Sequence, residues 1–393
     1  MIFLDAAATT PVRREVLEAM WPVLTAEFGN PSSHHELGHT AADILANARS
    51  RVAKVLGCRA SEITFTSGGT EADNLAIKGI ALARQAGNPA LNRVVISAVE
   101  HPAVLESARY LERFHGFALD VVPVDQSGVV TATALRPFLG EKTALVSIMY
   151  ANNEIGTVQN IRELAELAHQ HNIPFHSDAV QAAGWLPLKV NDLSVDALSI
   201  SGHKLGAPKG CGVAYLKSRT PAEPLIHGGG QERGRRAGTE NVAGAVAMAM
   251  ALELGAASAA PEAERVGVLR EEFISHVLAS VPNAILTGHR SQRLPSVASF
   301  CFPGTSGESV LLELERLGVV CSSGSACAAG SDEPSEVLLA IGLAREIAQT
   351  AVRFSFAQGV DAEQVRRAAA LVTTAVERVT SLGAVGGAVG GEP

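Results

Sequence analysis

Apolar residues along the chain fall into short runs of strand length, separated by longer stretches whose apolar positions recur every three or four residues. The runs cover residues 63–66, 93–98, 119–124, 144–150, 173–178, 197–201 and 212–216. Strand-length runs alternating with helical patterns predict a parallel, doubly wound sheet. The stretches 71–86 and 161–171 read as helices, and the second puts Ile161, Leu164, Ala165 and Ala168 on one face. In such a sheet ligand chemistry belongs at the strand tips. Residues 242–260 form an Ala-rich apolar stretch that carries Glu253 and lacks basic flanks, so it reads as a buried helix rather than a membrane span. Residues 256–261 look like a change of domain. Beyond them come a helix at 265–278, strands near Ala284 and at 296–302, a helix from Glu308 and a Gly/Ser-rich loop, the pattern of a smaller α+β domain. The expected division is a large α/β domain at 15–258, a small domain formed by 1–14 and 259–382 with the loop at 318–334, and a disordered Gly/Ala/Val tail at 383–393.

The 393 residues, 47% of them hydrophobic and 18% charged, supply enough apolar material for two domains. With 32 basic against 40 acidic residues the net charge is −8, which excludes the positive field that nucleic acids or anionic membranes require. Asp5 follows closely on Met1 and no basic stretch precedes an apolar one, so no secretory signal is expected and the cytoplasm is the expected location. The five cysteines are odd in number and show no spacing framework, which predicts free thiols.

Chemistry enters at the strand tips. Lys204, one of seven lysines, stands in Ser201-Gly202-His203-Lys204, directly after the run 197–201. A lysine at that place can form a Schiff base, although a solvated surface lysine is the plainer reading until companions appear. Asp178, at the preceding strand end, is one: its carboxylate can keep a pyridinium nitrogen protonated, as pyridoxal phosphate requires, or it can simply cap a helix. Thr66-Ser67-Gly68-Gly69-Thr70-Glu71 runs from strand into helix as a cradle for an anion, or as a capping box. Its spacing is neither the dinucleotide fingerprint nor the triphosphate loop. His101 can stack on a flat ring or cap a helix, and Asn152-Asn153 can hydrogen-bond a ring hydroxyl. Cys327 lies in a run of small residues, Cys321-Ser-Ser-Gly-Ser-Ala-Cys327-Ala-Ala-Gly330, where a thiol is accessible and able to move. The alternative is a buried cysteine in a turn, and a separation of six positions between the two thiols, with no flanking histidine, argues against a metal. Arg353, in the apolar strand Ala351-Val-Arg-Phe-Ser-Phe356, is costly unless it meets an anion such as a substrate carboxylate.

Taken in order, these motifs resemble those of the cysteine desulfurases of the NifS/IscS type, fold-type-I pyridoxal phosphate enzymes of the class V aminotransferase-like family. The resemblance runs from Leu4-Asp5-Ala6-Ala7-Ala8-Thr9-Thr10-Pro11 and Phe28-Gly29-Asn30-Pro31-Ser32-Ser33 to Arg236-Ala237-Gly238-Thr239 and Ser323-Gly324-Ser325-Ala326-Cys327. It implies a mostly parallel seven-stranded sheet in the large domain. It also implies Lys204 as the Schiff-base lysine, Asp178 against the pyridine nitrogen, Gln181 and Asn153 near the ring hydroxyl, and His101 stacked on the ring. Gly69, Thr70, Ser201, Gly202 and His203 would surround the phosphate, with Thr239 reaching in from the partner of a homodimer. Cys327 would be the nucleophile, and Arg353, with Asn30 and Asn153 close by, would bind the substrate.

The activity so implied converts L-cysteine to L-alanine. Lys204 takes the α-proton, the Cys327 thiolate attacks the substrate sulfur, and the persulfide passes by thiol exchange to acceptor proteins for iron–sulfur cluster assembly or tRNA thiolation. Metal, membrane and direct nucleic-acid partners are not expected. Two features depart from the family pattern. Where a second basic residue commonly follows Arg353 this chain has Ser355-Phe356-Ala357-Gln358-Gly359, and Cys321 adds a second thiol upstream of Cys327. Rival readings are a selenocysteine lyase, a kynureninase-like hydrolase or aminotransferase on the same scaffold, a non-enzymatic cluster scaffold, and a dehydrogenase. A mobile thiol disfavours the hydrolase and aminotransferase, the full set of cofactor positions disfavours the scaffold, and the missing Gly-x-Gly-x-x-Gly disfavours the dehydrogenase.

Overall fold

The computed structural model describes residues 1–323 and 333–387. Seven of its strands form one sheet: β2 (Ile63–Thr66), β3 (Arg93–Ser97), β4 (Ala118–Val122), β5 (Thr143–Ser147), β6 (Phe175–Asp178), β7 (Ala197–Ser201) and β8 (Gly212–Leu216). Their order is β2-β8-β7-β6-β5-β3-β4, and β8 alone runs antiparallel to its neighbours. The chain leaves β3 outward to β4 and then returns to β5 on the other side, so the direction of winding reverses beside β3.

Side chains alternate across the strands and feed two cores. Val95, Val146, Leu198, Val213 and Tyr215 face one layer of helices, while Val94, Ile96, Leu145, Ala197, Ala214 and Leu216 face the other. The first layer is built from the helices Arg14–Thr25, Glu36–Leu56 and Ile161–His169 together with the first half of Val242–Ser280. The second holds Gly69–Asn74, continued through a π-helical turn at Leu75–Gly79 into Ile80–Gly87, and Pro102–His115. The expected strands and helices therefore occur, with ends shifted by a few residues.

A third core lies apart from the large sheet. Here β9 (Ile285–Leu286), β10 (Val297–Cys301) and β12 (Ala351–Ser355) form an antiparallel sheet, and β1 (Ile2–Phe3) pairs in parallel with β11 (Val319–Val320). Aromatic residues are scarce in this chain, yet five of its twelve phenylalanines gather here: Phe273, Phe300, Phe302, Phe354 and Phe356. Phe273 sits 5.0 Å from Phe354 and 5.5 Å from Phe356, which gives the small core rigid, high-area contacts.

The change of domain expected at 256–261 is not a break in the chain. One helix runs without interruption from Val242 to Ser280 and contains Pro261. Its residues Val242–Leu252 belong to the first core, and Val266–Val277 belong to the small one. Proline removes one helical N–H and costs about 3 kcal/mol in a helix interior, but here both halves are anchored in packed cores and the intervening alanines favour helix. By length and composition this helix would pass for a membrane span, but 61% of its most apolar window is buried inside the protein. The last helix, Ala362–Gly387, extends over residues 383–387, which composition had assigned to a disordered tail, while 388–393 lie outside the described residues.

One buried ion pair ties the loop before that long helix to the sheet. Arg49 donates to Glu232 through both terminal nitrogens, at 2.6 and 2.7 Å, and to the Ile63 carbonyl at 2.9 Å. Glu232 also accepts from the Phe65 N–H at 3.1 Å, and the guanidinium lies 5.0 Å over the Phe65 ring. Breaking one side of such a pair strands a buried charge. Arg49→Met is expected to lower stability in urea unfolding by about 3–5 kcal/mol, and adding Glu232→Leu should recover most of that loss.

Candidate active site

Five of the six parallel strands, β2, β3, β5, β6 and β7, bring their C-terminal ends together on one edge of the sheet, and each tip contributes a segment to the site. His101 follows β3, Asn153 follows β5, Asp178 ends β6 and Lys204 follows β7. His101, Asn153, Asp178, Gln181, Lys204 and Arg353 line one cavity of about 520 Å³, within the range of small-molecule sites.

The local sequence explains how each residue is held. His101 is the N-cap of the Pro102–His115 helix, its Nδ1 accepting from the Ala103 N–H at 3.1 Å, with Pro102 in the first helical position. His101 thus caps its helix through one ring nitrogen and at the same time lines the cavity. Burial holds His101 below its ordinary pKa, and the Lys204 charge lowers it further against an opposing effect of Asp178. Asp178 likewise makes a turn bond, accepting from the Val180 N–H at 2.8 Å. Burial pushes its carboxyl above the usual range, while His101 and Lys204 oppose the shift.

The Lys204 ammonium donates to the carbonyls of Ala7 and Ala8 at 2.5 and 2.7 Å, and Gln181 donates its amide to the same Ala7 carbonyl at 3.0 Å. His203 contacts Thr9 through Nδ1 at 3.1 Å, and its carbonyl accepts from Thr10. Burial and the Lys204 charge hold the His203 imidazole down at about 4, so it is neutral near pH 7. Lys204 and Gln181 also line a second cavity of about 580 Å³ behind this wall. Gln358, which stands where a basic residue was looked for, lies there as a clasp: it accepts from Arg13 at 2.5 Å and Ser258 at 3.0 Å, and donates to the Gly184 carbonyl at 2.6 Å.

The glycine-rich turn after β2 closes against β7 and β8. A Cβ on Gly69 would meet Val180 at 2.7 Å and Ser201 at 3.3 Å. A Cβ on Gly212 would come within 2.7 Å of the Gly68 backbone, so β8 must begin with glycine for the turn to sit this close. Ser201 and Gly202 are buried beside the turn and Thr70 is exposed at the first turn of its helix, where free N–H groups favour an anion.

Arg353 finds its anion within the chain. Its guanidinium is 2% exposed, donates to Asp5 at 2.9 Å and to the Asn153 carbonyl at 2.9 Å, and leaves Nε buried without a partner among the described residues. Asp5 was missed at the sequence level because it sits 348 residues away. The buried carboxyls Asp73, Glu100 and Glu154 were missed as well, although Glu100 adjoins His101 in the same motif. Two expected residues lie elsewhere. Asn30 is exposed and caps its own turn by accepting from the Ser32 N–H at 2.9 Å. Thr239 lines a separate cavity of about 250 Å³ with Thr66, Ser67 and Arg236.

Cys327 lies outside the described residues, but both flanks of its segment reach the site. Ser322 exchanges backbone hydrogen bonds with Arg353, at 3.2 and 2.7 Å. On the other side, Glu333, Pro334 and Ser335 line the cavity, and the Ser335 hydroxyl donates to Glu154 at 2.5 Å. A thiolate is disfavoured at Cys321. Burial, and then the Asp5 charge, push its thiol far above the ordinary range, as burial does to Cys211 and Cys301, at about 11. Cys58, Cys211, Cys301 and Cys321 are all free thiols.

A flat ring carrying a basic nitrogen, an aldehyde and a phosphate suits this arrangement. The buried Asp178 carboxyl offers a partner for a ring nitrogen, the Lys204 amine one for an aldehyde, and the close-packed glycine turn an anion cradle.

Comparison with known proteins agrees with the geometry. The family model for aminotransferase class-V matches residues 2–368. The cysteine desulfurase IscS of Dictyoglomus turgidum is 47% identical, covering 90% of this chain and 89% of its own length. The cysteine desulfurase NifS of Azotobacter vinelandii is 43% identical, over 93% and 90%. Among solved structures, a NifS-like protein superposes with a TM-score of 0.89 at 36% identity, covering 96% of this chain and 99% of that one. SspA in complex with cysteine superposes with a TM-score of 0.79 at 34% identity, over 91% and 99%. With a family match along almost the whole chain and relatives this similar, the chain belongs to the class-V aminotransferases, and within them to the cysteine desulfurases of the IscS/NifS type.

Proposed function

We propose that this chain converts L-cysteine to L-alanine, moving the sulfur first to Cys327 and then to an acceptor protein that builds iron–sulfur clusters or thiolates tRNA. The observation that carries the reading is one cavity that joins a lysine, a buried carboxyl and a buried arginine, with both flanks of the Cys327 segment at its edge. The cofactor of this family is pyridoxal 5′-phosphate, which when bound supplies an electron sink for the bonds to the substrate α-carbon. Lys204, Asp178, His101, Gln181 and Asn153 would hold its ring, and Gly69, Thr70, Ser201, Gly202 and His203 its phosphate.

Each residue then has a task set by its surroundings. Arg353, oriented by Asp5 and the Asn153 carbonyl, meets the substrate carboxylate. Lys204, the amine lining the cavity together with Arg353, takes the α-proton and returns a proton later. The neutral His101 imidazole carries no charge that would oppose a cationic ring. The Cys327 thiolate attacks the substrate sulfur. The S–S bond forms as the C–S bond breaks, the bonding pair stays with carbon, and protonation gives alanine and a Cys327 persulfide, so atoms balance without an external oxidant. A persulfide can leave only by thiol exchange in a reducing compartment, which the four free thiols support, and we place the reaction in the cytoplasm.

A homodimer belongs to the same reading. Leu17, Trp21 and Leu24 share the outer face of the Arg14–Thr25 helix, and Phe28 continues the stripe; they are 50, 67, 54 and 67% exposed. An apolar stripe of this kind calls for a cover, and a second copy would also bring Thr239 to its neighbour's phosphate cradle.

Protein supplied with pyridoxal phosphate and incubated with L-cysteine and a reductant is expected to release sulfide and alanine in equal amounts. Cys327→Ala should abolish both while the visible absorbance of the cofactor stays; sulfide from that variant would remove Cys327 from the reaction. Lys204→Ala should lower turnover by about 10²–10⁴-fold, and Arg353→Ala should raise KM for cysteine about 10- to 100-fold. In sedimentation, the native protein should have about twice the 40.8 kDa chain mass, and Trp21→Glu with Leu24→Glu should halve it; a native monomer would contradict the dimer.

A further inference from the structure

Three carboxyls lie together beneath the cavity, and the reaction as read above uses only one. Asp178 ends β6, Asp73 comes from the Gly69–Asn74 helix, and Glu100 stands between β3 and His101. They are 4, 1 and 7% exposed. One oxygen each of Asp73 and Asp178 lies, with a ring nitrogen of His101, in a cluster whose members are all within 4.8 Å of one another.

Among the described residues, the surroundings of Asp73 supply no cation of its own. From β6 it faces Asp178 and His176, from the segment after β3 Glu100 and His101, and from β7 the Ser199 hydroxyl, with Lys204 beyond. On its own helix Glu71 is engaged with Arg236 at 2.9 Å. His176 Nε2 is 3.7 Å from Asp73 Oδ1, too far for a hydrogen bond, and the two ring nitrogens contact Ser147 at 2.8 Å and Ser199 at 2.9 Å. Burial drives this imidazole down to about 3, so it carries no charge. Asp73 Oδ1 has no hydrogen-bond partner among the described residues. As a carboxylate, Asp73 would be an unpaired buried charge held against a second one, an arrangement whose cost is relieved by a proton.

We infer that Asp73 is kept as a neutral carboxylic acid beside Asp178, confining the negative charge of this cluster to Asp178 and holding that carboxylate toward the cavity. Asp73 is thus a positioning residue: it touches neither substrate nor cofactor and acts through Asp178. Burial and the neighbouring Asp178 and Glu100 favour its protonated form and outweigh the Ser199 hydrogen bond, which favours the charged one. Glu100, pushed up to about 8 by burial, is a second neutral acid near pH 7, even though the Ser97 hydroxyl at 2.6 Å and the Met149 N–H at 2.8 Å donate to it and oppose the shift. The purpose assigned to Asp178 rests on the cofactor reading, whereas the protonation of Asp73 does not.

Infrared spectra of the apoprotein separate the two. At pH 7 the native apoprotein should show the carbonyl stretch of protonated carboxylic acids; part should vanish in Asp73→Asn and part in Glu100→Gln, and none in Asp178→Asn. Native apoprotein without any such band would overturn the inference with no variant needed, as would an Asp73→Asn spectrum that keeps the full band. In the holoenzyme, Asp73→Asn keeps a neutral group of the same shape, so the pH midpoint of the cofactor's visible absorbance should move by less than about 0.3 units, against the full unit or more expected if a charge had been removed. A shift of that larger size would also overturn it. Failure of the protein to take up cofactor at all would instead count against the proposed function and leave the apoprotein result standing.

Discussion

The bond on which the site depends is that between the Lys204 ammonium and the backbone carbonyls of Ala7 and Ala8. Those carbonyls belong to an N-terminal segment threaded between the two halves of the molecule. Leu4 donates to Val320 and accepts from the Ser355 N–H, and the Ala7 N–H donates to the Ser355 hydroxyl. Asp5 holds Arg353, while Thr9 and Thr10 hold His203. Buried backbone groups must find partners, and here the partners of one short segment are the residues of the site itself. The small sheet and the large one are registered against each other through it.

A second joint lies behind that segment. The Val242–Ser280 helix enters both cores, and Gln358 ties its Ser258 to Arg13 and to the turn at Gly184. A rigid rod and a polar clasp therefore fix the distance between Arg353, carried by the small sheet, and Lys204, carried by the large one. Distances between reacting groups carried on separate sheets need this kind of support, since small misplacements are costly in rate.

Electrostatics at the floor of the cavity follows from burial. Histidines 101, 176 and 203 are all held down toward the neutral form, and Asp73, Glu100 and Asp178 are all held up toward it. Among these buried groups a charge needs a partner, and the cation facing Asp178 is Lys204, which opposes the upward push of burial on its carboxyl.

The periodicity of apolar residues, together with Gly, Pro and cap signals, was enough to locate the seven strands, the helices between them and the tips where Lys204, Asp178, His101 and Asn153 converge, because those features are local and the winding rules of parallel sheets do the rest. At residues 256–261 the packing does pass from one core to the other, but the helix break that Pro261 suggests is overridden by packing at both ends of the Val242–Ser280 helix. Asn30, named from the resemblance, has its side-chain oxygen engaged by its own turn. What the sequence by itself determined was the order of elements and the residue types at their ends. Only the tertiary structure decided that Asp5 meets Arg353, that Gln358 is a clasp, and that three acids share one buried floor, because burial and the pairing of residues hundreds of positions apart are properties of the folded packing.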